Sequence, residues 1–281
     1  MARPPGAGET VLATDRARAF GGKGGNQAVA VAALGAEVSF VGAVGADAAG
    51  RSYLEHLRTA GIEASGVREI PGVDTGAAMI LVDDLGENLI IVDPGANSRL
   101  EPQSVEGSIR AHEPTVLLAQ LEVPIAALEA AVAAVDARTI VVLNPAPMPA
   151  DPTLLAGVLR RVDVLVPNRR ELGQFAGCEE PRNLQEVTRC LTSLPFHGTV
   201  VVTLGADGAV VAEPGRSLVH VQAKVVEPVD TSGAGDAFCG ALVVGLAAGA
   251  DLADAVRRAV DVASESTLVR GAQLAVSPTV P

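Results

Sequence analysis

From residue 115 to residue 204, short apolar runs rich in Val, Leu and Ile alternate with longer helical stretches, which leaves few architectures open. The runs are 116–120, 140–143, 164–166 and 200–204, and the stretches between them are 124–135, 152–161 and 183–194. Strands that are apolar along their whole length are buried on both faces, and strands joined through helices run parallel. The pattern predicts an α/β fold of three layers, α/β/α, around a parallel sheet. Residues 208–212 and 218–223 read as an antiparallel extension of that sheet. Ligands on such sheets gather at the carboxyl ends of the strands. The polar residues that close the runs fall there: Gln120 and Glu122, Asn144, Asn168 and Glu171, and Thr203 with Gly205 and Gly208.

A second constraint is the stretch Asp230-Thr-Ser-Gly-Ala-Gly-Asp236, which runs into an apolar segment without proline as far as Gly249. It predicts a glycine-rich loop opening a buried helix. The first turn of a helix has backbone N–H groups without intrahelical partners and carries part of a positive charge. The amides around Gly233, Ala234 and Gly235 therefore form a candidate anion cradle. Asp236 in the same turn is placed to take a proton from a hydroxyl that attacks a phosphate held there. The plainer alternative is that Asp236 only caps the helix.

Near the other end, Gly21-Gly22-Lys23-Gly24-Gly25-Asn26 precedes an alanine-rich helix stopped by Gly35. Glycine turns are usually punctuation. Here the glycines surround one of only two lysines in the chain. Asn26 falls in the first helical turn, where its amide can grip adjacent hydroxyls. Residues 38–44 read as a buried strand and 48–60 as a helix. Residues 10–20 read as an edge strand, and 76–82 with 88–93 as a hairpin around Asp83-Asp84-Leu85-Gly86-Glu87. These strands make a small sheet that cannot bury both faces alone.

Composition removes several function classes. The net charge is −12 in 281 residues, which argues against nucleic acid or an anionic membrane as partner. No apolar run reaches the ~18–20 residues a membrane span needs. The first residues lack the apolar region of a signal peptide. Neither a dinucleotide-binding glycine fingerprint nor a Walker-type Gly-Lys-Ser/Thr is present. Three cysteines without ligand-like spacing argue against a disulfide framework or zinc site and fit a reduced, cytoplasmic protein. The four histidines are scattered and read as surface residues.

Asp230-Thr231-x-x-Ala234-Gly235-Asp236-x-Phe238-x-Gly240 resembles the carboxyl-terminal signature of the ribokinase-like, phosphofructokinase-B family of sugar kinases. Gly-Gly-Lys-Gly-x-Asn-Gln-Ala-Val-Ala resembles that family's sugar-binding loop, and Gln120-Leu-Glu122-x-Pro124 its sugar-contacting element. The resemblance spans nearly the whole chain, read as one domain over 1–281, with lid strands within 10–20 and 76–93. It implies transfer of phosphate from ATP to the 5-hydroxyl of D-ribose, with Asp236 as base and Gly233, Ala234 and Gly235 as anion hole. Gly22, Lys23, Asn26 and Glu122 would hold the sugar, and Asn168, Thr203, Gly205 and Gly208 the nucleotide. Asn168 and Glu171 match the family's Asn-x-x-Glu motif, which orders magnesium through water; a solvated helix start is the plainer reading of the same pair. Asp230, Ser232, Ser266, Val269 and Gly271 fall where the family binds a potassium or other monovalent cation. Ala275 replaces a serine ligand that the family often supplies there. The resemblance further implies a homodimer joined through the lid. Related activities on fructose, a keto-deoxy sugar acid or a nucleoside stay open, as does a sugar-binding protein without turnover.

One family element has no counterpart. The relatives open with a strand bearing Gly-Ser-x-Asn-x-Asp that contributes to the sugar site, whereas residues 4–10 resemble the segment after it. The chain also ends short of the family's usual last helix. Either the protein starts upstream of Met1, or it binds sugar with fewer hydrogen bonds. Residues 38–44 and 116–120 are expected to flank a strand position that is left open or filled from elsewhere.

Overall fold

The computed structural model describes residues 3–13, 15–83 and 88–275. The first half begins with helix α1 (Lys23–Ala33), strand β1 (Ser39–Gly45), helix α2 (Ala48–Thr59) and strand β2 (Glu63–Ile70). β1 and β2 pair in parallel as a two-stranded sheet. Asp47 caps α2 by accepting from the Gly50 amide at 2.7 Å, and its other oxygen accepts from the Thr75 amide at 2.8 Å. Those bonds, from Thr75 first and then Gly50, hold the Asp47 carboxyl down at about 2. They anchor the base of an antiparallel hairpin formed by β3 (Ala77–Val82) and β4 (Asn88–Asp93). Met79, Ile80, Ile90, Ile91 and Val92 of this hairpin are all more than half exposed.

After α3 (Pro102–His112), the chain enters the main sheet through β5 (Val116–Ala119), α4 (Ile125–Ala134), β6 (Ile140–Leu143), α5 (Ala156–Leu159) and β7 (Val164–Leu165). Then come α6 (Arg169–Ala176), α7 (Leu184–Ser193), β8 (Thr199–Thr203), β9 (Ala209–Ala212), β10 (Val219–Val221), α8 (Ala234–Ala247) and α9 (Leu252–Ser266). The sheet has the order β10-β9-β8-β7-β6-β5. β5 to β8 are parallel, and β9 and β10 extend them antiparallel, as the sequence pattern predicts. Successive side chains of a strand point to opposite faces. Val142, Val164 and Val201 thus join Phe238 and Leu242 of α8 and Val256 and Val260 of α9 in one core cluster. Val141, Leu143, Val200 and Val202 face the other way, against Leu172 and Phe175 of α6 and Val187 of α7.

α8 is buried on nearly every side. At Gly240 it passes so close to α1 that a Cβ there would lie 2.6 Å from the Ala30 Cβ and 3.0 Å from the Gln27 carbonyl. This glycine brings the first turns of the two helices to one place, and the candidate site is built there.

Among the described residues, no ladder joins β1 to β5, and each is paired on one edge only. Both nevertheless pack on the same apolar cluster, in which Ala43 and Val41 of β1 and Leu117 of β5 meet Val105 and Ile109 of α3. The expected break between 38–44 and 116–120 corresponds to this position.

Some sequence expectations are corrected. Residues 10–13 and 15–20 form no strand, so among the described residues the small sheet has two strands only. The alternation in 10–20 is weak, and Leu12 remains exposed without an apolar surface to pack on. Residues 84–87 of the hairpin turn lie outside the described residues. The helix read at 152–161 is a 3-10 turn at Pro152–Leu155 followed by the single turn of α5. Cys178 and Cys190 form a disulfide with their Cα atoms 6.5 Å apart, where no disulfide was expected. Folding α7 back on α6 brings together two residues whose spacing carries no signal. Cys239 is free and buried. Among the described residues no helix is long and apolar enough to cross a membrane.

Candidate active site

α8 begins at Ala234, with Gly233 as N-cap at φ 73°. A Cβ at Gly233 would overlap the Ala272 carbonyl oxygen, so both backbone conformation and space require glycine. Gly235 differs, since a Cβ there would meet nothing within 4 Å, and the first turn is open on that side. The Ala234 amide donates to the Thr231 carbonyl at a long 3.3 Å. A charged acceptor in the loop can compete for it, because charge-assisted hydrogen bonds are shorter and stronger.

Asp236 lies in the first turn of α8, only 6% exposed, and its carboxylate caps nothing: no side-chain cap is formed at this helix start. Its oxygens instead receive two side-chain amides from α1. Asn26 Nδ2 donates to Oδ2 at 2.9 Å and Gln27 Nε2 to Oδ1 at 3.0 Å. The capping-only alternative for Asp236 is thereby removed.

Gln27 had no role assigned from sequence, yet it is 1% exposed and ties the carboxylate to the strand ends. Its carbonyl oxygen accepts from Gln120 Nε2, and its Nε2 also approaches Asn144 Oδ1 at 3.3 Å. Asn144 Nδ2 in turn donates to the Val166 carbonyl at 2.9 Å. Gln120, Asn144 and Val166 each stand just past a strand end, at the carboxyl edge where the polar residues were expected. Among the described residues, no buried side-chain polar atom lacks a partner, so this network is fully satisfied. An amide inside an Ala/Val helix was the available signal for Gln27.

The glycine loop closes the same space. Gly22 takes φ 84°, and the Lys23 amide donates to Glu122 Oε2 at 2.7 Å. Burial lifts the Glu122 carboxyl above the usual range, against the amide and charge of Lys23 and helped by the charge of Asp236. The Tyr53 hydroxyl of α2 donates to the Gly21 carbonyl at 2.7 Å and occupies the volume a Cβ of Gly25 would need. The structure therefore brings Gly22, Lys23, Asn26, Glu122 and Asp236 together.

Asn168 and Glu171 form a capping box at the start of α6. Glu171 accepts from the Asn168 amide and from Asn168 Nδ2, both at 2.9 Å, and its own amide donates to Asn168 Oδ1 at 2.8 Å. The helix-start reading of the pair is thus realised, but Glu171 is buried rather than solvated. Burial raises its carboxyl above the usual range, with Lys23 opposing and Asp236 adding to the rise. Thr203 bridges to Asn168, and its amide donates to the Pro167 carbonyl at 2.9 Å. Gly205 and Gly208 take φ 63° and 88° in the turn that follows, and Arg169 pairs with Asp207 there.

The residues proposed for a monovalent cation sit on two adjoining segments. Asp230 Oδ1 accepts from the Ser232 amide and Oδ2 from the Gly271 amide, both at 2.9 Å. The Gly271 amide first, and that of Ser232 next, hold the Asp230 carboxyl below its usual range. The Thr267 carbonyl accepts from the Val229 and Asp230 amides. The Ser266 hydroxyl is turned into its own helix, onto the Ala263 carbonyl at 2.8 Å, while Val269 and Gly271 are exposed. Among the described residues there is no group of three or more His, Cys, Asp and Glu that could hold a metal ion.

His56, read from sequence as a surface residue, is half-buried. It stacks on Phe20 with ring centroids 4.2 Å apart and bonds Gln273 at 2.7 Å.

Residues 2–280 match the family described as pfkB family carbohydrate kinase. A ribokinase of Haemophilus influenzae is 34% identical over 275 residues, covering 96% of this chain and 88% of the relative. The ribokinase of Giardia lamblia has a TM-score of 0.84 at 30% identity, covering 95% of this chain and 89% of that one. The Arabidopsis thaliana ribokinase complexed with ribose and ATP has a TM-score of 0.80 at 29% identity, covering 96% and 88%.

Proposed function

We propose, from the premise that this chain belongs to the pfkB family of carbohydrate kinases, that it transfers the γ-phosphate of ATP to the 5-hydroxyl of D-ribose. The observation that carries the reading is the joining of two helix starts, in which Asn26 of the glycine loop donates to Asp236 beside the open turn of α8. Asp236 takes the proton of the hydroxyl as its oxygen attacks phosphorus. The amides of the Gly233–Gly235 turn receive the charge that spreads onto the transferred group. Asn26 keeps one N–H and one lone pair for a sugar hydroxyl beyond the bonds it already makes, and Glu122 keeps its second oxygen.

Magnesium, when bound with ATP, would neutralise phosphate charge, and Glu171 would hold it through water. The fit rests on the carboxylate's capacity of about four acceptor positions, of which the capping box uses two. Asn168, Thr203, Gly205 and Gly208 line the nucleotide end. Carbonyl oxygens of Asp230, Ser232, Ser266, Val269 and Gly271 suit a hard monovalent cation. The absence of a serine hydroxyl at Ala275 makes that site weaker. A coupled assay of ADP release over ribose, fructose, a keto-deoxy sugar acid and a nucleoside tests the reading. Ribose should give the highest kcat/KM. Preference for another acceptor, or ribose binding without ADP release, would reject it. In the same assay Glu122→Ala should raise the KM for ribose about 10-fold or more, the size of a lost hydrogen bond to a charged group. The KM for ATP should stay within about twofold.

The hairpin of β3 and β4 serves as the lid over the sugar and as the dimer contact. It exposes apolar residues on both faces: Met79 and Ile91 are paired on one, Ile80 and Ile90 on the other. A two-stranded sheet of this kind is not stable alone in water. Sedimentation should give twice the chain mass, and Ile91→Lys together with Ile80→Lys should give the monomer. A monomeric wild type would remove the dimer part of the proposal.

A further inference from the structure

The carboxylate of Asp236 stands at the end of a chain of hydrogen bonds that begins on α2, outside the groups the proposed reaction uses. Gln273 Nε2 donates to Asn26 Oδ1 at 3.1 Å, and Asn26 Nδ2 donates to Asp236 Oδ2 at 2.9 Å. The Gln273 carbonyl oxygen can only accept, so the 2.7 Å bond from His56 fixes a proton on His56 Nε2. All three bonds then donate in one direction, from His56 to Gln273 to Asn26 to Asp236, and bonds aligned this way strengthen one another. Side-chain amides do not relay protons at neutral pH. The chain therefore orients and does not conduct.

The orientation matters because a primary amide has a donor end and an acceptor end of nearly the same shape. Without Gln273, Asn26 could rotate by half a turn and present its carbonyl oxygen to the Asp236 carboxylate, a repulsive pairing. With a donor fixed at its oxygen, Asn26 can face the carboxylate only with N–H. Gln273 is itself held at both ends. His56 is stacked on Phe20, and the backbone beside Gln273 is tied down where the Gly271 amide meets Asp230. We propose that Gln273, oriented by His56, is a positioning residue for the reaction: it fixes the amide of Asn26 so that its N–H group faces Asp236. The inference rests on the reading of Asp236 as the base.

The test compares Gln273→Glu with Gln273→Met. Glutamate keeps an acceptor for His56 but turns a carboxylate oxygen toward Asn26 Oδ1, which drives the Asn26 amide to flip. Methionine keeps the length and removes both bonds. Gln273→Met should lower kcat about 3- to 10-fold, the size of one lost hydrogen bond. Gln273→Glu should lower it further, to about 30-fold or more, because a repulsive contact replaces the bond. The KM for ATP should not change in either. In an Asn26→Ala background the two Gln273 substitutions should add no further loss, since their effect passes through Asn26. A role limited to anchoring residues 270–275 predicts the opposite order, with glutamate the milder change, and that order would overturn the proposal. Losses that multiply in the Asn26→Ala background would overturn it as well. Ribose binding measured by calorimetry separates this inference from the one beneath it. If Asp236→Asn retains turnover, the base reading fails, yet Gln273→Glu must still weaken ribose more than Gln273→Met does. Equal ribose affinities in the two variants would reject the positioning role on its own.

Discussion

Asp236→Asn is expected to lower kcat by about 10²–10⁴-fold, the usual worth of a general base in the transition state. Two features of the site sharpen that expectation. The carboxylate is buried and its oxygens are matched to two amide donors, Asn26 Nδ2 and Gln27 Nε2. An asparagine can accept only one of them and must turn its own NH₂ toward the other. The variant should therefore also lose stability, by about 1–3 kcal/mol for a buried donor left unpaired. Nucleotide affinity should persist, because Asn168, Thr203 and the 205–208 turn lie on other elements. Turnover, thermal midpoint and ADP affinity measured on the same preparation separate these effects. A kcat within about tenfold of wild type, in a variant that is folded and binds ADP, would show that the proton goes elsewhere.

The architecture was legible because it rests on periodicity. Runs such as 140–143 and 200–202 are apolar at every position, which is the mark of strands covered on both faces. The loop at 230–236 was legible for a related reason, since a glycine-rich turn entering an apolar helix has few other uses. What stayed hidden depends on contacts across the chain. Gln27 and Asp236 are separated by 209 residues, and Asn26 and Gln273 by 247, so no local pattern announces either pair. The disulfide was missed because Cys178 lies just past α6 and Cys190 within α7, a pairing set by how α7 turns back. Residues 10–20 erred in the opposite direction. Their weak alternation suggested a strand, but a strand needs a partner edge, and among the described residues β3 pairs only with β4. Glu171 shows the two readings of one residue meeting. The helix start was foreseen and is present, while burial of its carboxylate was not, because burial depends on elements distant in sequence, those of Lys23 and Asp236 among them.

Gly233→Ala should be strongly damaging while leaving every polar side chain in place, and Gly235→Ala two residues on is its control. Gly233 holds φ 73°, where a side chain costs about 1–2 kcal/mol. Its Cβ would also overlap the Ala272 carbonyl oxygen and lie 2.7 Å from the Ala272 carbonyl carbon, which is backbone and cannot swing aside. Relief requires the 271–273 segment to retreat from α8 or the first turn of α8 to rotate. Retreat would pull Gln273 away from Asn26 and Gly271 away from Asp230. Rotation would turn the amides of residues 233–235 off the transferred phosphate, and removal of one such donor lowers kcat by about 10²–10³-fold. Either route should lower both thermal stability and turnover. Gly235 has an ordinary φ and no atom within 4 Å of a Cβ, so Gly235→Ala should melt within a degree or two of wild type. Its methyl group would project into the open side of the turn, so the loss should fall on kcat and on ATP affinity alone. Wild-type melting together with wild-type turnover in Gly233→Ala would mean that neither the strap nor the turn is held as tightly as the contact at Ala272 requires. Unfolding of Gly235→Ala would place that glycine in the scaffold instead of at the phosphate.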